Sequence, residues 1–277
     1  MSPLQEEILK IYKKVKQICD DNNLRYFAIG GTCIGSIRHR GFIPWDDDLD
    51  IAMPRKDYEK FKIIAKKELP YPLEYKDEKG FAHNECHFSK VHNTETTLIH
   101  KNMVRFPDRD SGIYIDIMPL DGLPNNTILR IIHLKLLKSL IKLNFWRKGI
   151  AQPNKWYKKV IPFIVKPFPF DFFLNIYLLI VKKYDFDDKK NKLSCFAWSQ
   201  RCEKLILVKN DFDDSVSFMF EDTLMKCPIG YDHYLVTHFG NYMDIPSKEE
   251  QINHENEIVR MDQSYRTFRE ERRNNIE

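Results

Sequence analysis

Apolar side chains recur at Leu4, Ile8, Ile11, Val15 and Ile18 with lysines on the other face, a spacing that predicts an amphipathic helix over 4–20. The polar run Asp20-Asp21-Asn22-Asn23 ends it, and 24–29 (LRYFAI) predicts a strand leading to Gly30-Gly31. Thr32 is expected to cap a short helix running to His39, which Gly41 stops. A loop, Phe42-Ile43-Pro44-Trp45, precedes a predicted strand through Leu49-Asp50-Ile51-Ala52-Met53 that Pro54 closes, and 55–69 reads as a second amphipathic helix. From 73 to 100 the pattern is short and strand-like, clearest in HFSKVHNTETTLIH. Residues 112–119 (GIYIDIMP) alternate cleanly and predict a strand with Asp116 at its centre. Residues 127–147 predict one helix that is apolar nearly all round, with Lys135, Lys138 and Lys142 on a narrow stripe. The aromatic-rich stretch 160–184 is interrupted by Lys166, Asp171 and three prolines, so it is not expected to cross a bilayer. The last third predicts a turn at Pro228-Ile229-Gly230, then a short helix through His238 that Gly240 ends. Ser247 and Glu250 are spaced as a capping box opening a helix that carries His254, and the charged tail FREERRNNIE is expected to fray.

Composition fits this mixed pattern. The 277 residues suffice for one large domain or two small ones, with the apolar and charged fractions of a folded chain. The six cysteines show no C-x-x-C pair, which argues against a thiolate zinc site. The N-terminal segment is too charged for an export signal, so a cytoplasmic location with reduced thiols is expected. Charge changes the picture more. Twelve Lys/Arg face two Asp/Glu between Pro124 and Phe186, a surplus of +10 that leaves the remaining residues at −6. The expected organisation is a catalytic core over 1–123, a basic helical insertion over 124–190, and a C-terminal part, 191–277, completing the core. The insertion is expected to pack on the core as a helical subdomain. Its basic and aromatic face is also a candidate for peripheral contact, through 124–186, with the inner face of an anionic membrane.

The candidate chemistry lies in Gly30 to Pro54. Asp46, Asp47, Asp48 and Asp50 form a carboxylate cluster, and on a strand Asp48 and Asp50 leave the same face. Two such carboxylates repel each other unless a cation lies between them. Oxygen-only ligands favour Mg²⁺ or Mn²⁺, which commonly completes its shell with substrate phosphates. The plainer reading is an acidic surface loop. Asp116, between Ile115 and Ile117, is costly to bury unless paired or metal-bound, and is the third candidate. The Gly30-Gly31 turn and the amides opening the next helix suit phosphate. Arg38, His39, Arg40, Arg55 and Lys90 are candidate neutralising cations, and each is also readable as an ordinary solvated charge. Neither G-x-G-x-x-G nor a P-loop occurs, and Ser36 is not in a G-x-S-x-G elbow. His83, His87, His92 and His100 lack H-x-x-x-H helical spacing and read as ordinary polar residues. The cations of the basic segment are interleaved with aliphatic residues, so nucleic-acid binding is not expected.

The stretch GGTCIGSIRHRGFIPWDDDLDIAMPRKDYEKF closely resembles the opening motif of the LicD family of phosphocholine transferases, which includes fukutin-related ribitol-phosphate transferases. The likeness continues through HFSKVHNTETT, GIYIDIMPLDG and FMFEDTLMKCPIGYDHYLVTHFGNYMDIPSKEEQINH. The resemblance implies an α+β, nucleotidyltransferase-like fold: a mixed sheet flanked by helices, here with the helical subdomain inserted. It also implies a CDP-activated alcohol such as CDP-choline, a divalent cation, and Asp48, Asp50 and Asp116 as catalytic and metal-binding acids. Gly30, Gly31, Thr32, Arg38, Trp45, Asp47 and Lys90 are the expected substrate-binding residues. Sixteen residues separate Gly31 from Asp48, more than the superfamily pattern, so donor selectivity is expected in that spacer. Trp45 there could face a quaternary ammonium or anchor the core. The expected reaction transfers phosphocholine, or a related phospho-alcohol, to a hydroxyl of a cell-surface glycan, a lipopolysaccharide or teichoic-acid precursor that is lipid-linked. The alternative is a metal-dependent nucleotidyltransferase moving NMP from an NTP to a small molecule or RNA.

Overall fold

The computed structural model describes residues 1–77, 88–101, 104, 111–149, 160–188, 192–195, 206–251 and 256–274. His83, Cys86, His87, Cys202 and His254 lie outside them. Helix α1 (Pro3–Asp21) opens with a capping box in which Ser2 Oγ accepts from the Gln5 N–H and Gln5 Oε1 from the Ser2 N–H. Its apolar stripe, Ile8, Ile11, Tyr12 and Val15, is fully buried. Strand β1 (Phe27–Ala28), helix α2 (Gly30–Ile34), strand β2 (Asp50–Pro54) and helix α3 (Arg55–Glu68) follow. Strand β1 is shorter than the expected 24–29 because only Phe27 and Ala28 find antiparallel partners, Ala52 and Ile51 of β2.

Next come β3 (Leu73–Lys76), β4 (Ser89–Asn93), β5 (Thr97–His100) and β6 (Tyr114–Leu123), then helices α4 (Thr127–Arg147), α5 (Ile161–Val165) and α6 (Phe172–Val181). The chain continues through β7 (Lys192–Ser194), β8 (Ile206–Leu207), β9 (Ser215–Phe220), β10 (Thr223–Pro228), α7 (Tyr231–Phe239), β11 (Asn256–Arg260) and α8 (Tyr265–Asn274). The main sheet runs β1-β2-β6-β4-β3, with β7 and β8 added on the far half of β6. The β2–β6 pairing is parallel and its other pairings are antiparallel, so the sheet is mixed. Helices α1 and α3 pack on it, enclosing a core that includes Ile51, Tyr58, Phe61, Val91, Ile115 and Ile117. This is the expected mixed sheet flanked by helices.

Helices α4, α5 and α6 form a second apolar cluster, with Leu134, Leu137, Ile141, Leu174 and Tyr177 of α4 and α6 and Val165 of α5. Two expectations for the C-terminal part are corrected. The Ser247 N–H donates to Glu250 Oε2 at 3.1 Å as a capping box requires, but among the described residues only a single 3₁₀ turn, Lys248–Glu250, follows. The turn ends because Gln251 has left helical backbone geometry, at ψ 85°. The tail is helical as far as Asn274 rather than frayed there. Tyr265 opens α8 buried beside the His92 ring, and Arg266 pairs with Glu74 at 2.5 Å, giving a charged helix two fixed points on the sheet.

Candidate functional site

The parallel pairing of β2 and β6 sets Asp50 directly opposite Asp116. On the other side of β6, β4 sets Lys90 opposite Asp116, with Nζ 2.7 Å from Oδ1 and 3.4 Å from the centre of the Tyr114 ring. Three adjacent strands therefore present two carboxylates and an ammonium in a row across the sheet. Asp50 is 5% exposed, and its Oδ1 is buried without a hydrogen-bond partner among the described residues. Burial pushes its carboxyl well above the ordinary range, and the charges of Asp48, Asp116 and Asp46 add to this while Lys90 opposes it. A carboxylate so placed is expensive to keep charged in the folded chain.

Asp48 precedes β2, which begins at Asp50, and its charge still acts on Asp50. The Asp116 N–H donates to the Leu49 carbonyl at 3.0 Å, so the ladder starts only there. Ahead of it the backbone is held in a turn, the Asp46 N–H bonding the Ile43 carbonyl at 2.9 Å. Gln5 Nε2 from α1 donates to the carbonyls of Ile43 at 3.3 Å and Asp46 at 2.8 Å. Asp46, Asp47 and Asp48 thus ride on a segment that leads into β2 and is held by Gln5. Asp47 accepts from Asn256 Nδ2 at 2.5 Å.

The glycine turn faces the same loop. Gly30 enters α2 at φ +54°, a left-handed geometry that favours glycine, and its N–H donates to Tyr234 Oη at 3.1 Å. A Cβ on Gly31 would lie 2.5 Å from Asp46 Oδ2, so the acidic loop rests on bare backbone. Thr32 is inside α2 rather than its cap, because the helix begins two residues earlier. Its Oγ1 instead accepts the Asp50 N–H at 2.8 Å, tying the turn to the buried acid. The following π-helical turn, Gly35–His39, is ended by Arg40 at φ +56° rather than by Gly41. Gly41 is required for close approach: a Cβ there would strike the Glu221 carboxylate, which accepts the Phe42 N–H at 3.1 Å.

The candidate cations divide. Lys90 joins the acids. Arg38 Nη1 donates to the carbonyls of Tyr242 at 2.6 Å and Asp244 at 2.7 Å, fixing the loop after α7 to the π turn. Arg55 is buried and binds Asp121 of β6 through two 2.7 Å bonds. Trp45 is half-buried, packs against the main core and meets the His39 ring edge-on at 6.1 Å between centroids. His92 shares a 3.2 Å hydrogen bond with the Ser111 hydroxyl and His100 one of 2.6 Å with that of Tyr114. Gln5, Tyr234, Glu221 and Asn256 hold the site together from distant parts of the chain, and no local sequence signal marks them.

As a donor set the acids suit a hard divalent cation, since they are all oxygen and Asp50 carries an orphaned buried oxygen. Among the described residues, no three His, Cys, Asp or Glu side chains are already gathered at metal-binding separation.

A sequence profile for the LicD/FKTN/FKRP nucleotidyltransferase domain matches residues 23–155, the span holding the glycine turn, Asp48, Asp50, Lys90 and Asp116. Residues 23–155 are thus a LicD/FKTN/FKRP nucleotidyltransferase domain. The lipopolysaccharide cholinephosphotransferase LicD of Haemophilus influenzae is 27% identical over 252 residues, 89% of this chain and 92% of its own. An uncharacterised protein of Rickettsia prowazekii is 30% identical over 121 residues, 43% of this chain and 41% of that protein. The LicD alignment is longer than the domain, so the likeness includes parts of the chain outside 23–155.

Proposed function

We propose that this LicD-family chain transfers phosphocholine, or a related phospho-alcohol, from a CDP-linked donor to a hydroxyl of a cell-surface glycan precursor such as lipopolysaccharide. The observation that carries this reading is the buried, partner-seeking Asp50 opposite Asp116 and beside the Gly30-Gly31 turn. The Haemophilus relative supports choline as the alcohol and lipopolysaccharide as the acceptor. A divalent cation, Mg²⁺ or Mn²⁺, held by Asp48, Asp50 and Asp116 would neutralise the donor diphosphate and stabilise CMP as it leaves. The acceptor oxygen forms the new bond to phosphorus as the bond to the CMP oxygen breaks. Asp116 would act either as that third ligand or as the base that takes the acceptor's proton. Lys90, 2.7 Å from Asp116, orients that carboxylate and adds a positive charge beside the phosphates. The bare backbone at Gly30 and Gly31 lets the donor approach the start of α2, and Thr32 keeps Asp50 in register with that turn. Trp45 and Asp47, on the spacer between glycines and acids, face the choice of alcohol, Trp45 by cation–π contact with a quaternary ammonium. A CDP-activated donor implies reaction on the cytoplasmic side.

The test is a thermal-shift screen of CDP-choline, CDP-ribitol, CDP-glycerol and CDP-ethanolamine with Mn²⁺, followed by product analysis. A bound donor at about 100 times its Kd raises stability by about 2.7 kcal/mol. We expect one CDP-alcohol with Mn²⁺ to raise Tm and to yield CMP. Stabilisation by NTPs alone, with pyrophosphate as product, would establish nucleotidyl transfer instead.

A further inference from the structure

Helix α4 turns Leu134, Leu137 and Ile141 inward, yet its outer side is not polar. Ile128, Leu129, Ile131, Ile132 and Leu136 are between 43% and 69% exposed. Residues 128, 132, 136 and 139 fall on one stripe of a 3.6-residue helix, and the exposed Lys135 and Lys142 run along one edge of it. The shorter helix α5 adds Phe163 and Ile164, at 77% and 63% exposed. Of 23 large apolar side chains exposed among the described residues, 11 lie between Ile128 and Leu179. On α4 itself Ile128, Ile132 and Leu136 form a continuous stripe, whereas exposed apolar residues on a monomer are ordinarily scattered.

The flanking charge says which partner. Helix α4 carries Arg130, Lys135, Lys138, Lys142 and Arg147 and no acidic residue. A second copy of the chain docked on the same face would set two basic rows against each other. An anionic bilayer surface matches both features: apolar side chains enter the headgroup–acyl boundary while the lysines stay among the phosphates. No helix among the described residues is long and apolar enough to cross a membrane, so contact of this kind lies in the plane of the surface. We propose that the outer face of α4 docks on an anionic lipid surface. The proposal is independent of which phospho-alcohol the site transfers, and of whether it transfers one.

The test uses the full chain and flotation with vesicles of phosphatidylcholine, with or without phosphatidylglycerol, and no nucleotide. Wild type is expected to float with the phosphatidylglycerol vesicles at low salt and progressively less as salt rises. Lys135→Glu with Lys142→Glu should lower partitioning about tenfold or more, each surface lysine contributing separately to attraction by the anionic leaflet. Ile132→Glu with Leu136→Glu should abolish flotation, and thermal melts should show both variants as stable as wild type, because the altered side chains face water. The proposal is overturned if wild type fails to float at low salt or if all three proteins float alike. It is equally overturned if wild type is a dimer in solution that Ile132→Glu with Leu136→Glu dissociates, which would assign the face to a second copy.

Discussion

Strand β6 carries two carboxylates whose fates differ. Asp121, near its end, is wholly buried, and both its oxygens accept from Arg55, at 2.7 Å each. Asp116, near its start, has Lys90 on one side and Asp50 across the parallel ladder on the other, with Asp46 and Asp48 adding to the negative field at Asp50. The same residue type on one strand thus serves two ends. Where a planar guanidinium satisfies the acid fully, the pair is closed and links α3 to the sheet. Where carboxylates crowd one another and Asp50 retains an orphaned oxygen, folding alone does not explain the arrangement. The candidate site differs from the Asp121 pair in that Asp50 keeps a buried oxygen without a partner among the described residues.

The largest effect expected from this contrast is at Asp50. Asp50→Asn keeps size and shape but removes the charge, and on the proposed mechanism should lower transfer about 10³-fold, equivalent to about 4 kcal/mol of transition-state stabilisation. The folded state currently holds a buried carboxylate whose charged form is disfavoured, so without added cation the variant should melt no lower than wild type and could melt higher. Initial rates with Mn²⁺ and melting curves in chelator check the two halves separately. A variant that lost several degrees of Tm along with its activity would return Asp50 to the class of Asp121.

Arg55→Met is the converse experiment. It strands Asp121, wholly buried, without its counter-charge, and the expected loss is about 3–5 kcal/mol of unfolding free energy. Replacing both partners, Arg55→Met with Asp121→Leu, should recover most of that loss, because a well-packed apolar pair needs no compensation. Urea unfolding of the single and double variants decides it. A double variant no better than the single would show that Glu59, 3.3 Å from Arg55, or the packing around the pair carries the effect.

Much of this contrast cannot be read along the chain. Local periodicity identified α1, α3 and both bounds of α4, since a helix writes its buried face into a short window. Asp50 was legible from its spacing to Asp48 and Asp116 from the apolar residues around it, but that β2 and β6 run parallel and set the two opposite each other was not. The start of β2 at Asp50 was not legible, because Gln5, from another helix, holds the carbonyls of Ile43 and Asp46 ahead of it. Tyr234 on the Gly30 amide and Glu221 under Gly41 are contacts between distant segments, which no window of the sequence contains. Arg55 and Lys90 looked alike as candidate cations; only the pairing of strands assigned one to a structural acid and the other to the site. For α4 the sequence showed apolar residues nearly all round and could not say which of them the insertion would bury.

Asp77 extends the comparison to the opposite extreme, a carboxylate with two ammonium groups, Lys66 Nζ at 2.8 Å and Lys62 Nζ at 3.1 Å. Burial disfavours its charge, but the bonds from the two lysines prevail and hold the carboxyl down at about 2. A folded-state value below the ordinary one of about 3.9 means that the stabilisation is complete above about pH 4 and is lost as pH falls toward 2. Lys66 is half exposed, so solvent screens part of the pair and the expected contribution is about 1–2 kcal/mol. Asp77→Asn should therefore cost that amount at neutral pH, and its deficit should shrink steadily below about pH 4. Denaturant unfolding of both proteins across this range measures the difference directly. A deficit that stayed constant with pH would mean that Asp77 acts through packing or hydrogen bonds its amide cannot reproduce. One that closed on acidification would set Asp77 beside Asp121 as an acid answered by its neighbours and leave Asp50 in contrast to both.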